Sequence, residues 1–161
     1  MAATFNGSDD SLMTLKAKAA APIRVLVVDD SATFARNLER WLTRTPGFTC
    51  VGVCDSGEAA LIAVPGKKPD VVLMDISMPG ISGVECTAQL RKTMPQLQII
   101  ALTVYQETET IFQALRAGAS GYLLKRSSMT DILSAIRDIR QGGAPMTSTI
   151  ARRIVEAFQE P

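Results

Sequence analysis

The chain of 161 residues contains no histidine, which excludes Ser–His nucleophilic catalysis, His-ligated zinc and an internal phosphohistidine together. Any chemistry must then rest on carboxylates, hydroxyls and lysine. Cysteine is scarce: Cys50, Cys54 and Cys86 form no C-x-x-C pair, and an odd count does not suit a disulfide framework. Cys50 and Cys54 lie in an apolar run, where a cysteine is ordinarily a small buried hydrophobe, and this usage fits a reducing compartment. The longest apolar stretches are too short to span a bilayer, so no membrane association is expected. Residues 1–10 lack the basic start and apolar core of a signal peptide, which makes the cytoplasm the expected location. The net charge of +1 supplies no global field for nucleic acid or an acidic membrane surface.

The composition, 47% apolar and 20% charged, is that of a globular chain. Its length suits one domain with short extensions, whose core needs neither disulfides nor a structural metal. Residues 1–22 are rich in Ala, Ser, Thr and Asp and are expected to form a mobile tail. Ile23 to Val28 is a β-branched run without alternation, as in a strand buried on both faces. Asp30-Ser31 opens a helical pattern in which Phe34, Leu38, Trp41 and Leu42 make one apolar stripe, ending at Pro46-Gly47. The alternation then repeats. Strands are expected at 48–54, 70–74, 98–102 and 121–124, with helices from Ser56 to a stop at Pro65-Gly66, from Gly83 to Met94, from Glu107 to Ala117, and from Ser128 to Gly142-Gly143. A last helix, capped by Thr147 or Ser148, carries Ile150, Ile154 and Phe158 on one side.

Five strands alternating with helices imply an α/β fold, a doubly wound five-stranded parallel sheet of flavodoxin-like order with an extra C-terminal helix. In such sheets the site lies beyond the carboxyl ends of the strands. There the sequence places Asp29 and Asp30 after the first strand, Asp75 after the third, Thr103 at the fourth and Lys125 after the fifth. Three crowded carboxylates repel and need a cation to be ionised together. Hard oxygen ligands without histidine or thiolate suit Mg²⁺. A lysine and a hydroxyl nearby are what a tetrahedral anion needs. Singly, each residue has a plainer role: Asp30 as a helix cap, the lysine as a solvated charge, the threonine as a strand residue. Their ordered coincidence at four strand ends is what points to a site.

The motifs Val-Val-Asp29-Asp30-Ser, Leu-Met-Asp75-Ile-Ser-Met-Pro79-Gly80, Ala-Leu-Thr103 and Gly121-Tyr122-Leu-Leu-Lys125 resemble those of the response-regulator receiver family of two-component signalling, over residues 23–141. The resemblance implies that Asp75 accepts a phosphoryl group. It also implies that Asp30 and Asp75 bind Mg²⁺ directly, that Asp29 does so through water, and that the Ser77 carbonyl completes the protein ligands. Thr103 and Lys125 would contact the phosphoryl oxygens. The phosphohistidine donor must then be on another protein, a sensor histidine kinase. Thr103 and Tyr122 are the implied switch pair, with the aromatic ring turning inward as Thr103 is drawn to the phosphoryl group; from the residues alone, Tyr122 reads as half-buried packing. Ser77 and Tyr105 flank the site, and a bulky Tyr105 is expected to shield the acyl phosphate from water.

Arg126 stands where many receivers have proline. With Gly142-Gly143-Ala-Pro-Met and the helix over 147–158, it is similar to the receiver of a LuxR-type transcription regulator, with 142–161 as linker and C-terminal helix. DNA would be contacted only through an output domain not present in this chain. Exposed Ile154, Val155 and Phe158 then suit a further domain or a homodimer partner. Two other readings remain: a stand-alone receiver acting through protein contacts, and an aspartate-nucleophile phosphohydrolase. The latter resembles Asp-x-Asp rather than the adjacent pair Asp29-Asp30 with a separate Asp75.

Overall fold

The structure is a computed structural model that describes residues 21–161. The tail expected over 1–22 lies, apart from Ala21 and Pro22, outside the described residues. Five strands, β1 (Ile23–Val28), β2 (Phe48–Cys54), β3 (Val71–Met74), β4 (Gln98–Thr103) and β5 (Gly121–Leu124), form one sheet of order β2-β1-β3-β4-β5. Every pairing is parallel. All residues of β3 and β5 are buried, which is why these strands read as unbroken apolar runs.

Six helices follow the strands: α1 (Ala32–Arg44), α2 (Gly57–Lys67), α3 (Gly83–Thr93), α4 (Thr108–Ala117), α5 (Met129–Arg140) and α6 (Ser148–Gln159). On one face of the sheet α1 and α5 close a core around Val25, Val27, Leu73, Ile100 and Leu102. On the other, α2 and α3 cover Leu26, Val28, Val72, Met74 and Ile99, while α4 and α6 cover Ala101, Tyr122 and Leu124. The alternation along β4, with Ile99 and Ala101 to one side and Ile100 and Leu102 to the other, is the two-residue period of a strand.

Local detail departs from expectation at a few points. The buried stripe of α1 is Ala35, Leu38 and Leu42, so Trp41 falls at its rim and is 48% exposed. Helix α2 runs through Pro65 to Lys67 and closes at Lys68, whose φ of 49° is left-handed and whose N–H returns to the Val64 carbonyl. Pro65 falls in the last turns, where the missing N–H costs one bond and does not end the helix. Ile62 on this helix points outward, and Ala60 and Val64 do the packing. Ile154 is partly buried against the α4–β5 cluster and is not free. The three cysteines are unpaired. Burial pushes the Cys86 thiol up to about 11, in keeping with an inert core residue.

Candidate functional site

The strand order reverses at β1, whose neighbours β2 and β3 are reached by crossovers in opposite directions, and a crevice opens there beyond the strand ends. Backbone bonds keep the ladder running one residue past each strand. Asp29 donates its N–H to Cys54, Asp75 to Val28 and Lys125 to Thr103, each at 2.9 Å. The three side chains therefore leave the sheet at one edge with their main chains fixed.

Asp29 and Asp75 are buried and Asp30 is exposed, and one carboxylate oxygen from each lies within 4.8 Å of the others. The cap of α1 is Ser31, whose hydroxyl accepts from the Phe34 N–H; Asp30 is thereby released from capping and faces the crevice mouth. Asp29 Oδ1 accepts from the Ser31 N–H at 2.8 Å. Lys125 Nζ lies 2.7 Å from Asp29 Oδ2 and 3.1 Å from Asp75 Oδ2, bridging the two buried acids. Its ammonium also sits 4.8 Å above the Phe34 ring. Burial alone would push the lysine down, but its bonds to Asp29 and Asp75 outweigh this and hold it above its ordinary value. Burial raises the Asp75 carboxyl, aided by the charge of Asp29 and opposed by Lys125 and the Ser77 N–H. Negative charge here is only partly compensated.

Asp75 is aimed by the β3–α3 loop. Ser77 donates its N–H to Asp75 Oδ1 at 3.3 Å, and Gly83 donates its own to the Ile76 carbonyl at 2.8 Å. A Cβ at Gly83 would lie 1.8 Å from the Asp75 carbonyl oxygen, so only glycine admits this approach of α3 to the Asp75 backbone. Sequence reading assigned Gly83 only to a helix. A glycine directly after a capping serine, where almost any residue makes a better helix, was the available signal. Phe34 was read as core stripe; its place beneath Lys125 is a tertiary fact without a local signature.

On the β4–β5 side Thr103, Tyr105 and Tyr122 form a set of neutral groups. Thr103 is fully buried, and its hydroxyl accepts from the Tyr105 N–H at 3.3 Å. The Tyr105 hydroxyl donates to Ser77 Oγ at 3.3 Å, strapping the two loops across the crevice. Tyr122 is fully buried, with its hydroxyl donating to the Tyr105 carbonyl at 2.8 Å. Its ring already lies inward, where half-buried packing was the simpler expectation. Burial, then the charges of Glu107 and Asp75, push this phenol up to about 12.

Comparison with known proteins places this arrangement. The family model for the response regulator receiver domain matches residues 25–137. The response regulator GacA of Pseudomonas viridiflava is 39% identical over 138 residues, 85% of this chain and 64% of that protein. The transcriptional regulatory protein DegU of Brevibacillus brevis is 31% identical over 137 residues, 85% of this chain and 58% of that protein. The chain thus spans less than two thirds of these relatives' length. A crystal structure of a LuxR-family two-component response regulator from Aurantimonas sp. SI85-9A1 superposes with a TM-score of 0.82 at 31% identity, covering 87% of this chain and all of that one. The chain belongs to the response regulator receiver family of two-component signalling.

Proposed function

We propose that Asp75 accepts a phosphoryl group from the phosphohistidine of a sensor histidine kinase, in a Mg²⁺-dependent step. The observation that carries this reading is the pairing of a three-carboxylate set within 4.8 Å with a lysine bridging two of its members. The donors fit a hard divalent cation: all are oxygens, two are buried, and the exposed Asp30 leaves a side open to water. Asp30 and Asp75 would hold the ion directly and Asp29 through water, with the Ser77 carbonyl as a further ligand. When bound, the ion supplies the charge neutralisation that a phosphoryl group needs beside three acids.

The remaining work falls to the chain's own groups. An Asp75 carboxylate oxygen forms the bond to phosphorus as the bond from phosphorus to the donor imidazole nitrogen breaks, leaving an acyl phosphate. Lys125 exchanges one carboxylate contact for a phosphoryl oxygen. The Thr103 hydroxyl donates to the new anion while its oxygen goes on accepting from the Tyr105 N–H. That shared hydroxyl fixes the Tyr105 loop where it stands, and with it the carbonyl that holds the Tyr122 hydroxyl. Thr103 and Tyr122 are thus the switch pair. The inward Tyr122 is the arrangement that phosphorylation would favour.

For output, transcriptional control through a DNA-binding domain outside these 161 residues is the reading that the relatives favour. The test of the acceptor is intact mass after incubation with a small acyl-phosphate donor, with Mg²⁺ and with chelator. A single phosphoryl adduct is expected only with Mg²⁺ and not in Asp75→Asn. An adduct that persists in that variant would remove Asp75 from the role.

A further inference from the structure

The chain that leaves α5 returns to the open edge of β5. Tyr122 donates its N–H to the Pro145 carbonyl at 3.0 Å, and Thr147 donates its own to the Tyr122 carbonyl at 3.2 Å, extending the sheet by one bridge at Met146. Gly121 is shaped to this: a Cβ there would sit 2.9 Å from the Pro145 carbonyl oxygen. Thr147 is also the cap residue of α6, yet its hydroxyl makes no cap bond. It accepts instead from the Leu124 N–H at 3.1 Å and lies 3.4 Å from the Ser127 hydroxyl. The cap oxygen is given to the sheet edge, and the first amides of α6 go without it.

Burial then falls along α6. Ile150 is fully buried in the cluster that contains Tyr122, Ile154 is partly buried, and Phe158 is 79% exposed, edge-on to the Phe112 ring with centroids 5.8 Å apart. A short helix without a side-chain cap, tight at one end and loose at the other, owes its order to docking and not to its own turns. Tyr122 is the residue common to both sides. Its backbone holds 145–147, its ring shares a cluster with Ile150, and its hydroxyl holds the loop that bonds Thr103.

We propose that residues 143–159 are a cis ligand of the β5–α4 face, coupled through Tyr122 to the crevice, so that the docked helix and a phosphorylated Asp75 stabilise each other. This rests on Asp75 being the acceptor. A helix seated on Ile150 keeps Tyr122 inward, and the inward ring keeps its bond to the Tyr105 carbonyl, which is the loop position that a phosphoryl group selects. Coupling of this kind is reciprocal for binding equilibria.

The experiment uses the full chain and beryllium trifluoride with Mg²⁺ as an equilibrium mimic of the phosphoryl group. Hydrogen exchange over 143–159 is expected to slow by ~5-fold or more at saturation, the lower end of ordinary coupling. The affinity for the mimic is expected to fall by a similar factor in Ile150→Asp, and by less in Thr147→Val and Phe158→Ala. The last two spare the core, so they remain informative where Ile150→Asp fails to fold. Exchange over 143–159 that ignores the bound mimic would overturn the proposal. So would variants whose α6 exchanges faster while the mimic binds as tightly as in wild type. A wild-type chain that binds no mimic and takes no phosphoryl adduct would sink the acceptor reading itself, and this proposal with it.

Discussion

Between β1 and β3 the crevice is held by charge: Asp29 and Asp75 are buried, and Lys125 reaches both at 2.7 and 3.1 Å. Between β4 and β5 it is held by neutral bonds among Thr103, Tyr105 and Tyr122, from 2.8 to 3.3 Å. Like charges and a half-buried lysine give the first half large opposing terms, and its geometry must be rigid to keep them balanced. Neutral hydrogen bonds contribute only about 1 kcal/mol each on net, so the second half can exchange partners at little cost. Chemistry needs fixed positions, whereas a switch needs two arrangements separated by a few kcal/mol. Under the proposed function the same strand-end crevice would serve both, with Lys125 reaching from the end of β5 into the charged half.

The strongest way to break the charged half is through its floor. Gly83→Ala places a methyl group 1.8 Å from the Asp75 carbonyl oxygen, and backbone must move to admit it. Unfolding in urea is expected to show a loss of more than about 3 kcal/mol, with phosphoryl labelling abolished even in the folded fraction. Next comes Lys125→Met, which leaves Asp29 and Asp75 facing each other without their shared cation. A loss of about 3 kcal/mol is expected in chelator, at the low end for a buried pair because the lysine keeps some solvent contact. Adding Asp75→Asn to Lys125→Met should restore much of that loss. A strictly additive double mutant would show that the two do not interact.

The contrast was only half legible in the sequence. The charged half was readable because strands buried on both faces appear as apolar runs, and a polar residue directly after such a run must lie at the sheet edge. Asp29, Asp30, Asp75 and Lys125 were placed at the edge in this way, as was Thr103 of the neutral half, and the alternation with right-handed crossovers pointed to the flavodoxin-like order. The neutral half depends on tertiary packing. Nothing local told that Tyr122 would be fully buried, that its hydroxyl would meet the Tyr105 carbonyl, or that Thr147 would bond β5 in place of capping α6. Helix periodicity likewise placed Trp41 on the apolar stripe, because a one-position rotation of that stripe lies within what the pattern resolves.

The neutral half is tested by pH. Tyr122→Phe loses the bond to the Tyr105 carbonyl and is expected to be about 1 kcal/mol less stable than wild type at neutral pH. The phenol's folded pKa is raised from 10.0 to about 12, so its contribution is fully present below pH 10 and is lost as pH rises through about 12. Across that window wild type should lose about 2–3 kcal/mol that the phenylalanine variant does not lose, and the order of stability should reverse. Parallel curves from pH 9 to 12 would mean that the hydroxyl is not buried as the structure has it.

The smallest effect on stability belongs to Tyr105, which is 38% exposed and bonds Ser77 through a hydroxyl that water can replace. Tyr105→Ala should change the folding free energy by no more than about 0.5 kcal/mol, as for most surface sites. Its effect on the acyl phosphate should be larger than that figure suggests. The ring lines a cavity with Ser77 and Met78 between the β3 and β4 loops, close in the chain to Asp75 and Thr103, so in the proposed reading it would shield the acyl phosphate from water. Loss of phosphate from labelled protein, followed by mass, should quicken by up to about 10-fold, the equivalent of ~1.4 kcal/mol in barrier. Tyr105→Phe keeps the ring and drops only the strap to Ser77, so it separates shielding from tethering. A phenylalanine variant that holds its phosphate like wild type would assign the effect to bulk. One that matches alanine would assign it to the hydrogen bond between the two loops. An alanine variant that loses phosphate no faster than wild type would remove Tyr105 from any part in the lifetime of the signal.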